Sequence, residues 1–219
     1  MKKLLITIDG PAGAGKTTVS RALADRLGYR YIDTGALYRG VALAIQRRGT
    51  DPQNDAELKR LCDDIDLTFV SKTEGLGLLL NGEDISDRIR TPEITMLASA
   101  VSARPVVREF LLDVQQKLGG QKAAVFEGRD MGTVVFPDAD VKFFLNASTR
   151  TRALRRYEEQ KSKSAQTLDE VERDIQQRDR NDSSRDLAPL KPAADAIIID
   201  STEIGVDEVV DLMASHIGL

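Results

Sequence analysis

The 219-residue chain has one cysteine, Cys62, and one histidine, His216. A single cysteine excludes an internal disulfide and any multi-cysteine metal site. A single histidine near the C-terminus gives no basis for a Ser-His-Asp triad or a histidine metal cluster. No segment approaches the roughly 20 apolar residues of a membrane span. After "MKK" only about five apolar residues follow, too few for a signal-peptide core. The expectation is therefore a cytoplasmic protein with no membrane partner. Excess positive charge is missing as well: the net charge is -4, which speaks against nucleic-acid binding by bulk charge. What is present is an ordinary globular balance, 41% apolar and 30% charged. The length suits one large α/β domain with room for a small insert.

Apolar runs and helical periodicities alternate along the chain. "KKLLITID" reads as a buried parallel strand, and Thr17 to Leu27 as a helix stopped by Gly28. "YRYIDTG" gives a second short strand, "ALYRGVALAIQRRG" a helix ending at Gly49, and "DPQNDAELKRLCDDI" a helix starting near Asn54 or Asp55. "LTFVSKTEGLGLLLNGEDIS" holds two β-like runs with turn residues around Gly75 and Gly82, a small antiparallel insert. Thr91 to Leu118 is helical with a break at Arg104-Pro105, because proline disfavours helix in the residue before it. "KAAVFEG" and "DVKFFLN" are further strands, and Thr149 to Lys161 is a charged helix. Glu158 to Gln166 reads as an exposed, mobile turn, and "TLDE" is a capping box opening the next helix. "DAIIIDST" and "GVDEVVDLMASHI" close the chain as strand and helix. Such alternation implies a parallel sheet flanked by helices, with ligands beyond the carboxyl ends of its strands.

"GPAGAGKT", Gly10 to Thr17, fills G-x-x-x-x-G-K-[ST] between a strand and a helix. In this loop, Gly10, Pro11, Ala12, Gly13, Ala14, Gly15, Lys16, Thr17 and Thr18 would cradle ATP phosphates, with the backbone N–H groups of all but Pro11 facing them. Lys16 would reach the β- and γ-phosphates, and Thr17 would hold Mg²⁺, with Asp33 an indirect contributor. The loop alone does not choose among switch, motor and transferase. "DTGALYRG" places Tyr38 and Arg39 in the first turns of a helix that Asp33 or Thr34 caps, which suits a second phosphate-bearing ligand. "VFEGRD" ends a strand on Glu127, Arg129 and Asp130, charges that are costly there unless they face a polar site. Arg152, Arg155 and Arg156 share a helix face, and Arg178, Arg180 and Arg185 follow the turn. Together they read as a lid that excludes water and brings cations to the transferring group. Transfer to a phosphate acceptor needs no strong base, only alignment and charge neutralisation. A guanine-reading N-K-x-D motif is absent.

With "IDTGALYRG", "FEGRDMGTVVFPDADVKFFLNAS", "RALRR" and "RDRNDSSRDLAPLKPAADAIIIDST" in this order, the chain resembles the bacterial cytidylate kinases. The resemblance implies transfer from ATP to CMP or dCMP by a monomer. It also implies a three-layer α/β P-loop NTPase fold with a central parallel sheet, a small α+β NMP-binding insert and a short helical lid. Residues 1–34, 91–150 and 186–219 would form the core, 35–90 the acceptor region with its antiparallel insert at about 66–90, and 151–185 the lid. Arg39, Arg129 and Arg185 would grip the CMP phosphate, while Ser99, Arg108 and Asp130 would read cytosine. Arg178 and Asp182 would face the sugar, and Thr34 and Tyr38 would line the acceptor pocket. Lys16, Arg129, Arg185, Arg152 and Arg156 would be catalytic. Another P-loop kinase, for UMP or a non-nucleotide acceptor such as shikimate, is the nearest rival, followed by an ATP sensor without turnover.

Overall fold

The computed structural model describes residues 2–72, 75–161 and 165–218. The chain divides into two compact units, Met1–Tyr31 with Lys122–Leu219, and Ile32–Gln121.

The first unit carries the parallel sheet. Its strands are β1 (Leu5–Asp9), β2 (Arg30–Asp33, whose last two residues belong to the second unit), β6 (Ala124–Glu127), β7 (Val141–Asn146) and β8 (Ile197–Asp200). Their order is β2-β6-β1-β7-β8. Every residue of β1 and β6 is buried, as expected of central parallel strands covered on both faces. Ile8 lies beside Glu127 on one side and Phe143 on the other, so Asp9 and Glu127 finish at the same carboxyl edge. Helix α1 (Lys16–Leu27) and helix α8 (Val206–Ile217) cover the sheet with Val19, Leu23, Val209 and Met213 on Ile6, Ile8, Val125 and Leu145. Helices α6 (Thr149–Gln160) and α7 (Leu168–Ser183) pair through Ala153, Val171 and Ile175. Thr167 and Glu170 form the expected capping box. Of the turn expected between these helices, residues 162–164 lie outside the described residues.

The second unit is built on α2 (Thr34–Arg48) and α3 (Asp55–Asp64), capped by Asp33 and Asn54. The expected antiparallel insert is three-stranded: β3 (Leu67–Lys72), β4 (Gly75–Leu80) and the two-residue β5 (Glu83–Asp84). Helices α4 (Pro92–Val101) and α5 (Pro105–Gly119) are separated at Arg104, which is extended before Pro105. By sequence these two helices are expected in the core. Their apolar stripe, Ile94, Ala98, Val101, Val107 and Leu111, instead packs in one cluster with Leu37, Val41 and Ile45 of α2 and Leu58 of α3. Among the described residues no helix is long and apolar enough to cross a membrane.

Candidate active site

The phosphate loop leaves β1 at Gly10, whose φ is 148°. A Cβ there would lie 2.0 Å from the Leu145 carbonyl oxygen, so the loop is pressed onto β7 in a way only glycine permits. Gly10→Ala is expected to cost roughly 3 kcal/mol or more, because backbone must move to admit the methyl. Calorimetry would test this; a melting shift under about 2 °C would mean that the loop yields freely. Gly15, at φ 88°, opens α1. Lys16 follows it, almost fully buried, and its Nζ donates to the Pro11 carbonyl at 2.8 Å. Burial first, then the positive charge of Arg129, drives its pKa well below the ordinary lysine value. Glu127 and Asp9 act against that shift and Arg178 adds to it. Cations from two further chain segments thus converge on the loop lysine, an arrangement suited to a polyanion.

Thr17 is exposed, and its hydroxyl donates to Glu127 Oε1 at 2.9 Å. The strand-end glutamate is therefore partnered with the loop threonine. Asp9, one residue before the loop, accepts from Met131 N at 2.9 Å and Gly132 N at 2.8 Å. Burial raises its carboxyl to about 6, against the pull of those two N–H groups; Asp130 adds to the rise and Lys16 opposes it. Asp9 was not among the residues singled out by sequence.

In the last turn of α7, Asp182 is 2% exposed and gathers two arginines. Arg129 Nε donates to its Oδ2 at 3.1 Å, and Arg185 to its Oδ1. Burial opposes ionisation of Asp182, but Arg129, Arg185 and Arg178 together hold its pKa below the usual carboxylate range. Four of the expected acceptor-site residues, Arg129, Arg178, Asp182 and Arg185, are thereby one electrostatic cluster. The three arginines grouped on α6 diverge. Arg152 is buried and spends its guanidinium on the carbonyls of Ala147 (2.9 Å) and Ala12 (3.1 Å), on Thr149 Oγ1 and on Asp179 at 2.7 Å. Arg155 donates to the Ser201 carbonyl at 2.6 Å. Arg156 is half-buried and pairs with Glu159 at 3.3 Å. Arg152 thus braces the loop from behind; Arg155 also reaches it, donating to the Ala14 carbonyl at 3.5 Å, and Arg156 turns away to Glu159.

In the second unit, Asp33 caps α2 through Oδ1 on Ala36 N, and its Oδ2 takes Arg39 NH2 at 2.6 Å. Both carboxylate oxygens are thus engaged within the helix start. Arg39 Nε is buried with no hydrogen-bond partner among the described residues, so this guanidinium is held by one edge and retains a donor. Thr34 is buried one residue past the cap, and Tyr38 is half-buried beside Arg39 on the same helix. Ser99 and Arg108 meet around Ser102: its hydroxyl donates to the Ser99 carbonyl at 2.7 Å, and Arg108 NH1 donates to the Ser102 carbonyl at 3.2 Å.

A phosphate loop leaving a central strand of a parallel α/β sheet, with arginines gathered at the neighbouring strand end, defines a P-loop kinase. A solved shikimate kinase from Bacteroides thetaiotaomicron shares this fold, with a TM-score of 0.54 at 16% identity over 100% of both chains. So does an uncharacterized protein from Eubacterium ventriosum, at TM-score 0.56, 13% identity and 99% of both chains. The narrower assignment comes from sequence: the cytidylate kinase family model matches residues 6–218. The cytidylate kinase of Geobacter sulfurreducens is 52% identical over 213 residues, covering 97% of this chain and 91% of that one. Cytidylate kinase 1 of Haemophilus influenzae is 44% identical over 215 residues, covering 98% and 93%. The chain belongs to the cytidylate kinase family.

Proposed function

We propose that this chain transfers the γ-phosphoryl group of ATP to CMP or dCMP, giving CDP or dCDP and ADP. The observation that carries the reading is the pair of arginines, Arg129 and Arg185, gathered on the buried Asp182, with Arg129 also disfavouring the charge of the buried phosphate-loop Lys16. A donor triphosphate with an acceptor phosphate supplies the multiply charged anion that cations so placed suit. The acceptor oxygen is already anionic, so alignment and neutralisation carry the chemistry and no histidine base is required.

The roles are then as follows. The loop of residues 10–18, through the N–H groups of all but Pro11, and Lys16 hold the donor phosphates. Arg39, Arg129 and Arg185 would hold the acceptor phosphate. Arg108, Ser99 and Asp130 read cytosine: a carboxylate suits the exocyclic amine, and donors suit the ring acceptors. Arg178 and Asp182 orient the sugar, and Thr34 and Tyr38 line the acceptor pocket. Mg²⁺ fits the donor set at Thr17, where a hydroxyl and the Glu127 carboxylate supply hard oxygen ligands 2.9 Å apart, and where phosphates would complete the shell. Bound there, the ion would offset charge on the donor phosphates. We also propose a cytoplasmic monomer acting on small molecules and not on nucleic acid, in keeping with the net charge of -4.

ADP formation from ATP and Mg²⁺ tests the reading, with CMP, dCMP, UMP, AMP or no acceptor in parallel. Fast turnover only with CMP and dCMP is expected. Equal rates with UMP would remove the assignment of Asp130 to the cytosine amine. Turnover without acceptor would make the chain a hydrolase, and none in any well would make it an ATP-binding module.

A further inference from the structure

We infer that Asp9 is a positioning residue for acceptor selection: its buried carboxylate clamps the turn after Asp130 and so fixes how that residue is presented. The inference rests on the reading of Asp130 as the group that accepts from cytosine.

Residues Met131–Val135 form one turn of π-helix immediately after Asp130. The N–H groups of Val134 and Val135 close back onto the Asp130 carbonyl, so the first N–H groups of the turn have no partner within it. Asp9 takes two of them, one with each oxygen, at 2.9 and 2.8 Å. From the other side, Gly132 is pressed onto the sheet. A Cβ there would lie 3.1 Å from Thr7 Oγ1 and 3.2 Å from Lys142 Cδ. The turn is thus held between β1 and β7 with no room to drift.

A plain structural cap would call for less. Serine or asparagine caps such N–H groups without burying a charge. Here the carboxylate is 4% exposed, and Asp130, itself 3% exposed, adds like charge nearby. Placing two buried carboxylates together costs stability, and burial has already raised Asp9 toward neutrality. The fold gains from Asp9 what asparagine cannot give: two acceptors on one rigid fork, matching two adjacent N–H groups. That fork leaves the Asp130 backbone one orientation.

The test is acceptor kinetics of Asp9→Asn and Gly132→Ala, with CMP and UMP at saturating ATP, ATP titrated separately, and melting curves for each protein. Asparagine keeps one acceptor and sets an NH2 against the other N–H. Alanine at 132 pushes the turn outward and leaves Asp9 in place. Both variants are expected to raise KM for CMP roughly 10-fold or more, the scale of a slightly misplaced binding group. The preference for CMP over UMP should shrink by a similar factor, while KM for ATP moves about 2-fold at most. Lower melting temperatures with CMP preference intact would make Asp9 a structural cap and overturn the inference; so would equal rises in KM for ATP and CMP. Should Asp9→Asn fail to fold, Gly132→Ala carries the same comparison. Absence of CMP turnover by the unaltered chain would instead overturn the kinase reading, and this inference with it.

Discussion

Replacing Lys16 with methionine is expected to lower kcat about 10³-fold, the scale for losing one preorganised charge at a reacting phosphate. KM for CMP should change little, because Lys16 serves the donor side. The same variant should be no less stable than the parent. Lys16 is buried, and Arg129 and Arg178 disfavour its charge more than Glu127 and Asp9 support it, as the depressed pKa records. Methionine fills similar volume, removes the repulsion and sacrifices one bond to the Pro11 carbonyl. An unchanged or higher melting temperature beside a collapsed kcat would mark Lys16 as a residue kept for chemistry at the expense of stability. A kcat within tenfold of the parent, measured in single turnover with CMP, would remove the phosphate loop lysine from the mechanism.

Features fixed by neighbouring residues were legible in the sequence. The loop from Gly10 to Thr17, the Asn54 cap, the Thr167–Glu170 box and the glycine stops at 28 and 49 all depend on residues within a few positions. Partners far along the chain were not. The spacing of Arg152, Arg155 and Arg156 speaks only of a shared helix face. What each touches is settled by Ala12, 140 residues away from Arg152, by Ser201 and by Glu159. Asp9 looked like the last letter of a strand because its partners lie 122 and 123 residues on. The π turn at Met131–Val135 was hidden for the same reason. "MGTVV" is rich in β-branched residues, and a buried carboxylate from another strand holds it in a helical turn against that preference. β5, two residues long, is below the length at which alternation can be read.

The remaining large effect is expected at Asp182. Arg129 and Arg185 are only 20% and 10% exposed, and both close on this one carboxylate. Asp182→Ala leaves two poorly solvated guanidinium groups facing each other, at an expected cost of about 3–5 kcal/mol at pH 7. The pH dependence identifies the cause. Asp182 titrates below its unfolded value in the folded chain, so its contribution is present above about pH 4 and is lost as acid carries the protein through the depressed folded value. Asp9 behaves oppositely: raised to about 6, it contributes most below about pH 4 and loses that contribution as pH rises to 6. Asp9 is common to both proteins, so it cancels in their difference. Urea unfolding at pH 7 and pH 3 should therefore show the gap between parent and Asp182→Ala narrowing in acid; a constant gap would mean lost packing and not lost charge. Ligand should act in the same direction. If Arg129 and Arg185 hold the acceptor phosphate, CMP brings the variant an anion where the carboxylate was. Saturating CMP should then raise its melting temperature by more than it raises the parent's, as long as the weakened site still fills. Equal rises would separate the arginine pair from the acceptor phosphate and leave Asp182 as a purely structural counter-charge.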